Sequence, residues 1–153
     1  MSTKILLVED NDYKRGRILD YISSEYPSVV VVEARSYTSG KEAIELQKFD
    51  LLLLDVSLPT YDKTPSEGGG RFRTFGGREL ARKAIKAIDQ VPILFITQYK
   101  SFSDKGSSYT FEELVSVLAK DCGASFKGAV FFDTSVSTWK ESLSSVLDTS
   151  NNQ

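Results

Sequence analysis

Five short apolar runs, KILLV, VVVVEA, DLLLLD, VPILFIT and GAVFFD, recur along the chain with segments of helical length between them. Their near-continuous hydrophobicity suits strands covered on both faces, and their alternation with amphipathic stretches predicts βα units around a parallel sheet, an α/β fold. The helical patterns fall at Asp12–Glu25, with Ile18, Leu19, Tyr21 and Ile22 inward, at Tyr37–Gln47, and at Gly77–Ile88, with Leu80, Ala84, Ala87 and Ile88 inward. A fourth is TFEELVSVLAKD, where Thr110 followed three residues on by Glu113 forms a capping box. A fifth is expected from Val136 to Leu147. Two connections exceed ordinary α/β loops: one runs from Val56 through YDKTPSEGGGRFRTFGG, the other is Gln98–Tyr109. Both leave a strand's C-terminal end, where open α/β sheets place ligands.

The size, 153 residues of which 41% are hydrophobic, suits one domain, expected over residues 1–148, with a polar, frayed tail at 149–153. Nineteen basic against 21 acidic residues give no global attraction for nucleic acid or an acidic membrane. A single cysteine, no secretory leader pattern and no apolar run of spanning length lead to the expectation of a cytoplasmic, soluble protein. The chain contains no histidine. Ser/His/Asp and Cys/His catalysis, histidine–metal sites and histidine phosphorylation within this chain are therefore excluded.

Four leucines, Leu51–Leu54, run directly into Asp55. A carboxylate ending a buried strand costs desolvation energy unless a cation, a proton or hydrogen-bond donors meet it. The first strand ends in Glu9 and Asp10, which share the sheet edge with Asp55 if the two strands are parallel. Singly, each is an ordinary strand-end acid. Together, three converging carboxylates favour a hard divalent cation with oxygen ligands, and Mg²⁺ fits. Thr97 ends the fourth strand, placing a hydroxyl at the same crevice.

KILLVEDND, DLLLLDVSLP, GGREL and PILFIT, in this order and spacing, resemble the signatures of receiver domains of two-component response regulators (CheY-like), over Lys4 to Thr97. The resemblance implies a doubly wound, flavodoxin-like (βα)5 fold with strand order 2-1-3-4-5. It also implies that Asp55 is the phosphoacceptor, that Asp10 and Asp55 ligate Mg²⁺ with the Ser57 carbonyl, that Glu9 contributes through water, and that Thr97 contacts the phosphoryl group. A sensor histidine kinase or phosphotransfer protein would be the donor, and a stand-alone receiver would signal to a downstream protein partner by contact, without enzymatic turnover. Such receivers end strand five with a lysine that binds the phosphoryl group; here Asp133 stands in that place. The alternative is a pseudo-receiver, an interaction module without phosphotransfer. An aspartate-nucleophile phosphatase ranks last, because the position two residues past the nucleophile is Ser57.

Replacement cations are sought in the two long connections: Arg71 and Arg73 among glycines, and Lys100 and Lys105. Strand five itself offers only Asp133 and hydroxyls such as Thr134 and Ser135. Tyr13–Arg17 is expected to be the exposed face of the first helix. Phe131, Phe132 and Trp139 are expected to pack, and Cys122 to be inert.

Overall fold

The computed structural model describes residues 3–133, 135 and 137–151. In chain order the elements are β1 (Lys4–Val8), α1 (Asp12–Glu25), β2 (Val30–Ala34), α2 (Tyr37–Leu46), β3 (Leu51–Leu54), β4 (Leu58–Pro59), β5 (Phe72–Arg73), α3 (Gly76–Ala87), β6 (Ile93–Thr97), β7 (Ser101–Asp104), β8 (Ser107–Thr110), α4 (Phe111–Cys122), β9 (Phe126–Phe131) and α5 (Thr138–Asn151). Five parallel strands form the main sheet in the order β2-β1-β3-β6-β9. Counting only these strands, that is the 2-1-3-4-5 order of a flavodoxin-like fold.

Because strand side chains alternate between faces, each leucine run feeds two cores. Leu6, Val8, Leu52, Leu54 and Phe95 pack beneath α2, α3 and α4 against Ile44, Leu80, Leu114 and Leu118. Ile5, Leu7, Leu51, Leu53, Leu94 and Ile96 meet Ile18 and Ile22 of α1 and Trp139, Leu143 and Leu147 of α5. On α3 the buried face is Leu80, Ala81 and Ala84. Ala87, expected inward, is exposed because the helix ends there and Ile88 is its C-cap. The expected capping box holds: Glu113 N–H donates to the Thr110 hydroxyl (3.2 Å) and Thr110 N–H to the Glu113 carboxylate (3.0 Å).

Both long connections contain structure that their polar composition conceals. The first closes on itself through β4 and β5, antiparallel with Leu58 opposite Arg73. The second is a β7–β8 hairpin turning at Lys105 and Gly106, both at positive φ (48° and 85°), the geometry of a two-residue type I′ turn. Phe102 anchors that hairpin in the core.

β9 begins at Phe126, two residues before the expected GAVFFD, and its register on β6 shifts between Ile93 and Leu94, where Gly128 adopts φ 134°. The strand ends at Phe131 opposite Thr97, so Asp133 lies beyond it, its carboxylate accepting from the Ser135 N–H and hydroxyl. Thr134 and Val136, which carried an expected hydroxyl and the expected start of the last helix, lie outside the described residues. α5 extends through Asn151, so residues 149–151, expected to fray, are helical.

Candidate functional site

The exits of β1 and β3 are locked side by side: Val8 pairs with Leu54, and the Asp55 N–H donates to the Val8 carbonyl (3.2 Å). Glu9 and Asp55 therefore emerge as neighbours, only 2% and 3% exposed. Behind Asp55 the first turn of α3 approaches so closely that the Gly77 N–H donates to the Val56 carbonyl (2.8 Å), and a Cβ on Gly77 would fall on the Asp55 carbonyl oxygen. Glycine at 77 is thus what lets the helix pack against the strand exit.

The cation that meets these carboxylates comes from α1. Lys14, 2% exposed, extends its ammonium to Glu9 Oε1 (2.5 Å), Asp55 Oδ2 (3.3 Å), the Ile96 carbonyl (2.6 Å) and Gln98 Oε1 (2.9 Å). The remaining oxygens are also met, Asn11 N–H donating to Glu9 Oε2 (2.9 Å) and Val56 N–H to Asp55 Oδ1 (2.7 Å). The expectation that Tyr13–Arg17 forms an exposed face is corrected here. Tyr13 and Arg17 are exposed, but Lys14 and Arg15 are buried, because the carboxylates and carbonyls at the sheet edge satisfy their charges. Arg15 braces the same edge: its guanidinium donates to the Glu9 and Asp10 carbonyls and pairs with Asp12 and Glu33.

Two buried carboxylates share this one buried ammonium, leaving an excess of negative charge. Burial first, and then the neighbouring Asp55 charge, push the Glu9 carboxyl up to about 7, against the opposing pull of Lys14 and the Asn11 N–H.

Asp10 points to a different cation, Lys63, at 2.9 Å. Lys63 leads into the glycine-rich segment, which folds back so that the Tyr61 N–H donates to the Gly69 carbonyl (2.9 Å). Gly69, at φ 89°, leaves room for the Lys63 stem, which a Cβ there would strike. The adjacent Asp62 accepts from the Ser36 and Ser39 hydroxyls at the start of α2, pinning the loop beside the acids.

A cavity of about 210 Å³ opens over this cluster, lined by Glu9, Asp10, Asn11, Asp55, Ser57, Lys63, Phe72, Gln98 and Tyr99. Thr97 is fully buried beside it, its hydroxyl accepting from the Tyr99 N–H (3.2 Å), and the Ser57 hydroxyl donates to the Thr74 carbonyl (2.7 Å). Four cations considered from sequence do not line the cavity. Arg71 lies near Asp104 (3.8 Å), Arg73 pairs with Glu79 (2.7 Å) over the Tyr37 ring, Lys100 sits over Phe131, and Lys105 occupies the hairpin turn. Lys14 instead meets Glu9 and Asp55, and Lys63 lines the cavity. Only the bare lysine in DNDYKRGR, one turn beyond the acidic pair, signalled the first.

The oxygen donors suit a hard divalent ion in kind, but not as arranged. The Lys14 ammonium stands between Glu9 and Asp55, Asp10 is turned to Lys63, and among the described residues no group of three or more acidic, cysteine or histidine side chains is set to hold a metal.

A doubly wound 2-1-3-4-5 sheet with acids at the exits of its first and third strands defines a receiver-type domain. The chain belongs to the response-regulator receiver family. It is 30% identical over 142 residues to the Detocs response regulatory protein DtcB of Enterobacter cloacae (strain JD6301), a match covering 92% of this chain and 95% of that protein. No protein-family model matches it. In fold it is similar to a CheY-like receiver domain protein from Methanospirillum hungatei JF-1 (TM-score 0.64, 20% identity, 99% and 98% of the two chains). It is also similar to the response regulator TrrA of Thermotoga maritima, solved in complex with Mg(2+)-BeF (TM-score 0.61, 15% identity, 94% and 98%).

Proposed function

We propose that this receiver domain takes up a phosphoryl group on Asp55 and passes the change on by protein contact, without enzymatic turnover. The observation that carries the reading is a single nucleophilic carboxylate at the end of β3, beneath an accessible cavity, with a fixed ammonium 3.3 Å from its Oδ2. An Asp55 oxygen would attack phosphorus in line. The new O–P bond forms as the P–N bond to a phosphohistidine of a sensor kinase or phosphotransfer protein breaks, the departing imidazole taking a proton. Positioning and neutralisation of the developing charge account for most of such a rate, and Lys14 supplies one positive charge where Asp55 reacts. Thr97 stands beside the cavity as the hydroxyl to contact the transferred group.

Magnesium, were it to enter, would be held by Asp10, Asp55 and the Ser57 carbonyl, with Glu9 through water, once the lysines had released these carboxylates. The setting is the cytoplasm, where such donors reside; the net charge of -2 gives no general attraction to nucleic acid, and among the described residues no helix is long and apolar enough to cross a membrane. The second reading, a pseudo-receiver that binds partners without phosphotransfer, is favoured by the same ammonium, which already satisfies Glu9 and Asp55.

Intact mass after exposure to acetyl phosphate and Mg²⁺ separates the two. The first reading expects one added phosphoryl group in the wild type and none in Asp55→Asn; an unmodified wild type leaves the pseudo-receiver.

A further inference from the structure

We infer that Lys14 is the built-in counter-cation of the acid pocket, its ammonium occupying the Glu9 and Asp55 oxygens that a divalent ion would draw on, so that a metal enters only when Lys14 leaves. This rests on the reading of the pocket as the receiver site. It goes beyond that reading by assigning the pocket's resting cation to the chain itself.

The Lys14 ammonium lies in a cage of oxygens: two carboxylates, one backbone carbonyl and one amide, from 2.5 to 3.3 Å away. Those are the donors a hard cation selects. An ammonium brings one charge and three protons to the same oxygens, and it arrives tethered. Its stem rises from the first turn of α1, where the Asn11 side chain accepts from the Lys14 N–H (2.9 Å) and Arg15 next door is fixed at the Glu9 and Asp10 carbonyls. The second lysine of the pocket differs in kind. Lys63 is half exposed and pairs with the outer acid Asp10, so it can swing into solvent at little cost. Lys14 is buried and held by four elements, β1, α1, β3 and the exit of β6. A divalent ion placed against Glu9 and Asp55 meets this ammonium in a water-poor site, where like charges are poorly screened.

The chain thus keeps a receiver's acids while cancelling their appetite for metal. The lysine absent from strand five has a counterpart on α1, placed to face the acids at rest.

Titration calorimetry with Mn²⁺ alone, and melting temperature against Mn²⁺ concentration, test this on the wild type, Lys14→Gln, and Lys14→Gln combined with Asp55→Asn. Lys14→Gln should bind Mn²⁺ at least tenfold more tightly than the wild type, and adding Asp55→Asn should abolish the gain. Its melting temperature should rise with Mn²⁺ while that of the wild type stays flat. Should Lys14→Gln fail to fold without metal, refolding at saturating Mn²⁺ supports the inference and failure to refold overturns it. Wild type binding Mn²⁺ as tightly as the variant overturns it too. No phosphodonor is present, so the outcomes are separable from those of the phosphoacceptor reading. A gain in metal affinity with Asp55 never phosphorylated upholds this inference and removes that reading, and phosphorylation of the wild type with no gain does the reverse.

Discussion

Raising the pH from about 5 to about 7.5 should destabilise this domain, and Glu9→Gln should remove the effect. In an exposed chain a glutamate titrates at 4.5, whereas burial beside Asp55 takes Glu9 up to about 7. Between these values the native state keeps a proton that the unfolded chain has released, so the stability Glu9 contributes is fully present below 4.5 and is lost as pH climbs through 7. At about 1.4 kcal/mol per pH unit the gap amounts to a ceiling of roughly 3 kcal/mol, a large part of the stability of an ordinary domain. The chain has no histidine, burial pushes the Cys122 thiol up to about 11, and hydrogen bonds and charges hold Asp12, Glu113, Asp121 and Asp133 below the usual carboxylate range. Urea unfolding at half-unit steps would show it. A wild-type curve that is flat across the window, or a Glu9→Gln curve with the wild-type slope, would refute the charge count at this site.

Three further substitutions probe the frame that holds the pocket. Gly77→Ala puts a methyl group on the Asp55 carbonyl oxygen, and a backbone shift at the strand exit should cost about 3 kcal/mol in urea unfolding. Trp139→Ala empties a buried site between Phe132 and Tyr21, rings 5.3 and 5.7 Å away, and should cost about 3 to 5 kcal/mol by the same measurement. Thr110→Ala removes one half of the α4 capping box and should lower stability by only about 1 kcal/mol, with a matching loss of helicity confined to the first turn of α4 by amide exchange.

What the sequence made legible is what periodicity and strand-end position encode. The runs ending in Glu9, Asp55 and Thr97 fall into one sheet, because alternating leucines need two apolar layers and parallel strands deliver their last residues to one edge. Cation placement was not legible. A lysine in DYKRGR looks solvated in one dimension, and only the angular position of residue 14 on α1, facing the exits of β1, β3 and β6, turns it inward. The ribbon and hairpin within the long connections escaped for another reason. Two-residue strands carry almost no period, and the hairpin's turn uses Lys-Gly in place of Asn-Gly or Asp-Gly. The register shift at Gly128 also depends on the partner strand, and nothing local in GAVFFD reveals it.

The strand β2 lies at one margin of the sheet, and its sequence, VVVEA, is the kind of β-branched run through which proteins coalesce edge to edge. Its lone charge, Glu33, is tied at 3.2 Å to Arg15, the guanidinium that also braces the Glu9 and Asp10 backbone. One ion pair therefore serves two ends: it steadies the pocket from behind and keeps a charge on the border strand, so that solubility and site geometry are inherited together.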